Sequence, residues 1–138
     1  MLIDKNDFNN QSLYEVYKNA YMSPEQADDG DIRLNVDDIN MRARALEDRP
    51  FLVLSTGFGL KEDATREQVL EFCNRLNDKM IMIRCCYPEG VAEPMIYIDH
   101  FTMTEGGITG EEIVALTHRF VKVIRDGFSD HDTDGIIG

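Results

Sequence analysis

The run Ile32-Arg-Leu-Asn-Val-Asp-Asp-Ile-Asn-Met-Arg-Ala-Arg-Ala45 decides the fold. Ile32, Leu34 and Val36 alternate with Arg33 and Asn35. Ile39, Met41, Ala43 and Ala45 alternate with Asn40, Arg42 and Arg44. A period of two sends one set of side chains to a core and the other to the opposite face of a sheet. Asp37-Asp38 stands between the runs, so they form a hairpin with a two-residue turn. In that register Arg33 faces Arg42, and Asp31 faces Arg44. Alternation with a polar outer face belongs to antiparallel sheets, because parallel strands are buried on both sides.

Outward from this hairpin the pattern changes character. Before it, Leu13, Val16, Tyr17 and Ala20 recur at helical spacing, predicting a helix over 9–22. Ser12-x-x-Glu15 has the capping-box pattern, with Asn9 or Asn10 as the other candidate caps, and residues 25–31 form an acidic loop. After it, Phe51–Leu54 reads as a third, fully buried strand. A second helix spans Asp63–Asp78, with Val69, Phe72, Cys73 and Leu76 as its apolar stripe and Thr65-x-x-Gln68 as a possible capping box. Met80–Cys86 and Met95–Phe101 are strands four and five. Thr109-Gly-Glu-Glu112 opens a third helix, which carries Ile113, Leu116, Phe120 and Ile124 and ends at Gly127. The order α-β-β-β-α-β-β-α predicts an α+β fold, an antiparallel sheet flanked by helices.

The chain has 138 residues, 43% of them hydrophobic, which is enough for the core of one domain. That domain is expected to span 1–128, with 129–138 as a polar, acidic C-terminal tail. The formal net charge of -12 opposes nucleic acid and anionic membrane surfaces. Three cysteines without framework spacing point to reduced thiols and a cytoplasmic protein. No signal peptide and no membrane-spanning run is evident.

Few residues suggest chemistry. Asp130-His-Asp-Thr-Asp-Gly135 opens like an EF-hand loop, with Asp130, Asp132 and Asp134 at the alternating positions a calcium ion requires. The bidentate acid that completes such a loop is absent, so a frayed acidic tail is the expected state and a small-ligand or calcium-responsive sensor the alternative. Gly57-Phe-Gly59 lacks the third glycine of a dinucleotide fingerprint, and Glu62, Asp63 and Glu67 would repel a phosphate there. It reads as a flexible strand-to-helix turn. Cys85 and Cys86, like Asp99 and His100, are strand neighbours and point to opposite faces. No catalytic residue and no cofactor is expected, and the protein is not read as an enzyme.

Two strand faces carry the functional expectation. Arg33, Arg42 and Arg44 form a basic row on an acidic chain, the mark of a docking surface for an acidic partner segment or of a solvated face relieved by nearby acids. In the hairpin spanning 80–101, Ile81, Ile83, Cys85, Ile96 and Ile98 form the core side. Met80, Met82, Cys86, Met95, Tyr97 and Phe101 make the outer side largely apolar, with Arg84 and Asp99 among them. Methionine-rich apolar faces suit protein contacts. Helix 1 or a second subunit would cover this one.

Cys73-Asn-Arg-Leu-Asn-Asp-Lys-Met-Ile-Met-Ile-Arg84, then Ile98-Asp-His-Phe101, then Glu105-Gly-Gly-Ile-Thr109 with the closing helix through Phe120, resembles the YbjN family of bacterial proteins. The resemblance runs from about residue 31 to residue 126. It implies a fold like that of type III secretion chaperones, a homodimer, and a regulatory or chaperone role without enzymatic activity. The family offers no functional residues to carry over, and the Asp-rich tail is not part of its pattern.

Overall fold

The computed structural model describes residues 1–138. Its main sheet has six strands: β2 (Glu25–Gln26), β3 (Ile32–Val36), β4 (Ile39–Ala45), β5 (Phe51–Gly59), β6 (Arg84–Cys86) and β7 (Met95–Met103). They lie in the order β2-β3-β4-β5-β7-β6, with every neighbouring pair antiparallel. A separate two-stranded ribbon joins β1 (Leu2–Ile3) to β8 (Ile108–Thr109). Three helices complete the chain: α1 (Asn10–Asn19), α2 (Arg66–Lys79) and α3 (Gly110–His131). The α+β order read from the sequence holds, with the two-residue strands β1, β2 and β8 added to it.

The Asp37-Asp38 turn forms as the alternation requires, with Val36 opposite Ile39 and Arg33 opposite Arg42. Both aspartates are left-handed, at φ 49° and 66°. That is the primed turn whose twist matches the flanking strands, and Asp tolerates the conformation better than most residues.

All three helices pack on one face of the sheet. Ile32, Leu34, Met41, Leu52, Leu54, Ile96 and Ile98 meet Leu13 and Tyr17 of α1, Phe72 and Leu76 of α2, and Ile113, Phe120 and Ile124 of α3. Each such side chain removed from water contributes about 1.5–3 kcal/mol before the entropy of ordering is counted. The caps follow the sequence. Thr65 and Gln68 bond reciprocally at the start of α2, and Thr109 accepts the Glu112 N–H at the start of α3. At α1 the N-cap is Asn9, and Ser12 is its reciprocal partner inside the first turn. The Ser12–Glu15 pairing is displaced because Asn9 is the first residue with extended backbone before the helix.

Four expectations are corrected. Met80–Cys86 is not one strand. The Met80 N–H bonds to the Leu76 carbonyl and closes α2, and the Ile83 N–H turns back to the Ile81 carbonyl around Met82 at φ 61°. This tight three-residue turn leaves only Arg84–Cys86 in the sheet and puts Ile81 in solvent, 71% exposed, instead of in the core. A run of alternating Ile and Met is apolar in both phases, so its pattern could not reveal the break.

Gly57-Phe-Gly59 is strand, not a turn. β5 extends through it and pairs with β7, Gly57 opposite Tyr97. A Cβ on Gly57 would stand 3.2 Å from the Tyr97 ring, so glycine lets that ring lie across the sheet.

Gly127 does not end α3, which continues to His131. A Cβ there would approach Leu76 Cδ2 to 2.9 Å, so this glycine serves the close crossing of α2 and α3. Nor do the residues beyond it fray. Ile136 is 2% exposed, its carbonyl accepts the Lys61 N–H, and Ile137 bridges to Leu60 beyond the end of β5.

Candidate functional site: the uncovered face of the sheet

With the helices on one side, the other face of the sheet is left open, and its residues fall into cross-strand rows. Arg33, Arg42, Ser55, Asp99 and Arg84 form one row across five strands. Arg44, Val53 and Phe101 form the next, and Phe51 and Met103 the one beyond. On the other side of the first row, Gly57, Tyr97 and Cys86 align. The face is therefore divided: basic and amide-bearing over β3 and β4, apolar over β5 and β7.

On the apolar half, Tyr97 is 38% exposed, Phe101 44% and Met103 63%, unusually open for large apolar side chains. Phe51 meets Phe101 edge-to-face with ring centroids 6.4 Å apart. Arg84 lies 5.5 Å above the Phe101 ring while bonding both oxygens of Asp99, at 2.9 and 2.7 Å. That bidentate pair holds the guanidinium over the aromatic surface and raises its pKa.

On the basic half, Arg42 is paired with Asp29 at 3.0 Å and Asp31 at 3.6 Å. Arg33 and Arg44 have no carboxylate within 4.0 Å, although Glu25 is the cross-strand neighbour of Arg33. A groove of about 620 Å³ runs over this half, lined in part by Arg33, Asn35, Asn40, Arg42, Ser55 and Tyr97.

Of the residues singled out in the sequence, Arg33, Arg42, Arg44, Met95, Tyr97 and Phe101 share this face. Met80 and Met82 do not. Both are half-buried against the core, Met80 at the end of α2 beside Gly127. Helix α1 does not cover the face either, since it packs on the opposite side. Met103, Phe51 and Val53 were missed, although the alternation through Tyr97 and Phe101, carried two residues further, reaches Met103.

Buried polar groups elsewhere are engaged in structure. Cys85 Sγ donates to Cys73 Sγ at 3.3 Å, and that bond together with burial pushes the Cys85 thiol well above its ordinary pKa. Desolvation and then Asp99 raise the exposed Cys86. Neither thiol is activated as a nucleophile. His100 donates Nδ1–H to the Met82 carbonyl at 2.7 Å, and its Nε2 is hydrogen-bonded to the Thr102 hydroxyl at 2.7 Å. Asp99 points to the other face, so the two form no dyad. In the Asp-rich segment, both oxygens of Asp132 are taken by the N–H groups of Ile136 and Ile137, at 2.9 and 3.2 Å. That carboxylate shapes a chain turn instead of a calcium loop, and no cluster of three potential metal ligands forms.

An antiparallel sheet with its helices on one face defines the chain as an α+β protein. The chain belongs to the YbjN family, described as "Putative bacterial sensory transduction regulator", whose model matches residues 9–130. Among solved structures it is similar to YbjN from E. coli, with TM-score 0.76 at 10% identity over 93% of this chain and 94% of that one. It is also similar to the Yersinia pestis type III secretion chaperone SycH, solved in complex with a fragment of YscM2 (TM-score 0.50, 13% identity, 83% of this chain and 98% of that one). A third similar structure is an uncharacterized protein from Methanothermobacter thermautotrophicus (TM-score 0.53, 9% identity, 90% and 99%). No curated protein matches the sequence. At these identities the structural likenesses establish the fold. No helix is long and apolar enough to cross a membrane.

Proposed function

We propose that the chain is a non-catalytic protein-binding module, an adaptor or chaperone in a regulatory role, and that it works as a cytoplasmic homodimer. The observation that carries this reading is the uncovered sheet face. A six-stranded sheet with all its helices on one side leaves Tyr97, Phe101 and Met103 open to solvent, and burying that apolar strip against protein is favourable. A family described as regulators and a fold shared with a secretion chaperone agree with it. Cys85 and Cys86 are held above the ordinary thiol pKa and Asp99 is bonded to Arg84, which agrees with a non-catalytic role, and three unpaired cysteines suit a reducing compartment.

The strip over β7 would seat the second copy, and the dimer so formed would present the rest of the face to a partner. Sedimentation velocity of wild type and Phe101→Asp tests the contact. The expected result is a dimer for the wild type and a folded monomer for the variant. Co-purification from the native host, run on both proteins, should show the variant losing partners. A monomeric wild type would refute the homodimer, and an unchanged partner set in a folded variant would refute the face.

A further inference from the structure

We propose that the basic half of the uncovered face, over β3 and β4, binds an acidic segment of a partner protein in extended conformation. The inference rests on the reading of this face as a protein-binding surface and names the chemistry of what it takes.

Arginines gather here on a chain with 14 basic and 26 acidic residues. Arg33 and Arg42 are directly opposed, an arrangement that destabilises the free protein slightly. Within 4.0 Å the chain's own acids relieve it only at Arg42, through Asp29 and Asp31, while Glu25, the cross-strand neighbour of Arg33, lines the edge of the same groove without closing an ion pair. Arg33 and Arg44 remain exposed and without a carboxylate partner. Like charges left facing each other are complementary to an anion placed between them.

The spacing selects an extended peptide. Arg42 and Arg44 are alternate residues of one strand, so their side chains leave the sheet about 7 Å apart, the repeat of alternate side chains in any extended segment. A segment lying along β4 with acids at every second position would set one carboxylate between Arg33 and Arg42 and the next on Arg44. Arginine's planar fork can hold each carboxylate with two parallel hydrogen bonds. The groove above these strands, about 620 Å³ and lined by Asn35, Asn40 and Ser55, supplies hydrogen-bonding groups for the segment's backbone. Nucleic acid would offer the same sign of charge, but the chain's net charge of -12 opposes a long polyanion far more than a short acidic peptide.

The probe is a synthetic twelve-residue peptide with glutamate at alternate positions, measured by fluorescence anisotropy against wild type and the Arg33→Glu/Arg44→Glu double variant. Controls are a matched lysine peptide and a single-stranded oligonucleotide of similar length. The wild type should bind the glutamate peptide with an affinity that falls as salt rises. The double variant should bind it at least roughly tenfold more weakly and should gain affinity for the lysine peptide. Both positions are exposed, and circular dichroism confirms folding of the variant. No binding of the glutamate peptide, or equal binding by both proteins, overturns the inference, as does equal or tighter binding of the oligonucleotide. Loss of the dimer in the arginine variant, with peptide and dimer competing, also overturns it and assigns the surface to the second copy. Phe101→Asp reports on the apolar strip independently, so its failure and this one are distinguishable.

Discussion

Tyr17 shows how one residue's surroundings set a property that its sequence position does not. Its ring is fully buried. Thr117 donates its hydroxyl to the Ile113 carbonyl at 2.8 Å, so the Tyr17 hydroxyl donates to Thr117 Oγ1, also at 2.8 Å. Burial drives the phenol's pKa above its ordinary value of 10.0, outweighing the smaller lowering from Thr117. The neutral phenol is thus favoured in the folded state, while the unfolded chain ionises at the ordinary value. Stability from this residue is complete below that pH and declines above it, by about 1.4 kcal/mol per pH unit until the folded pKa is reached. Urea unfolding from neutral pH to about pH 11 should show this fall, and Tyr17→Phe should flatten it while costing about 1 kcal/mol at neutral pH. Helical spacing placed Tyr17 in the core correctly. Its hydroxyl's partner lies a hundred residues away on α3, where no local pattern points.

Among the elements, β6 depends most on its neighbours. Three residues cannot hold a sheet edge alone, and exposed edges invite pairing with other chains. Asn77 of α2 takes the place of a further strand. Its Oδ1 accepts the Cys85 N–H at 2.8 Å and its Nδ2 donates to the Cys85 carbonyl at 2.9 Å. Asn77→Ala should cost about 1–2 kcal/mol in denaturant unfolding and speed hydrogen exchange at the Cys85 amide, while amides in the centre of β5 change only with global stability. The stretch Cys73–Arg84 that carries the family resemblance includes this asparagine without revealing what it does. Alternation failed over Met80–Ile83 because those residues are apolar in either phase. It succeeded over β3 and β4 because Arg and Asn mark the outer positions unambiguously.

At the scale of the whole molecule, the last residues tie the end of α3 to the β5–α2 connection. Ile136 reaches the core and Asp132 holds the turn that delivers it, next to the start of the β5–α2 connection at Lys61. Ile136→Ala should destabilise by about 2–4 kcal/mol. Asp132→Ala should cost about 1.5–3 kcal/mol through its two lost charged hydrogen bonds. The Asp132→Ala loss should be the same with and without calcium in thermal unfolding. A calcium-dependent difference would restore a binding role to the segment. Nothing in its composition distinguishes a packed end from a frayed one, because the apolar pair Ile136-Ile137 is too short to have a period.

Local pattern by itself determined the element order, the hairpin at Asp37-Asp38, the opposition of Arg33 and Arg42, and the apolar character of the strand around Tyr97 and Phe101. Each of these depends on residues within one or two turns or strands, where period and turn chemistry act. Only the tertiary structure decided that all the helices lie on one side, so that the arginine row and the Phe101 strip share a single open face. Which side of a sheet a helix crosses is set by total burial across distant segments. That sum is not written in any window of the chain.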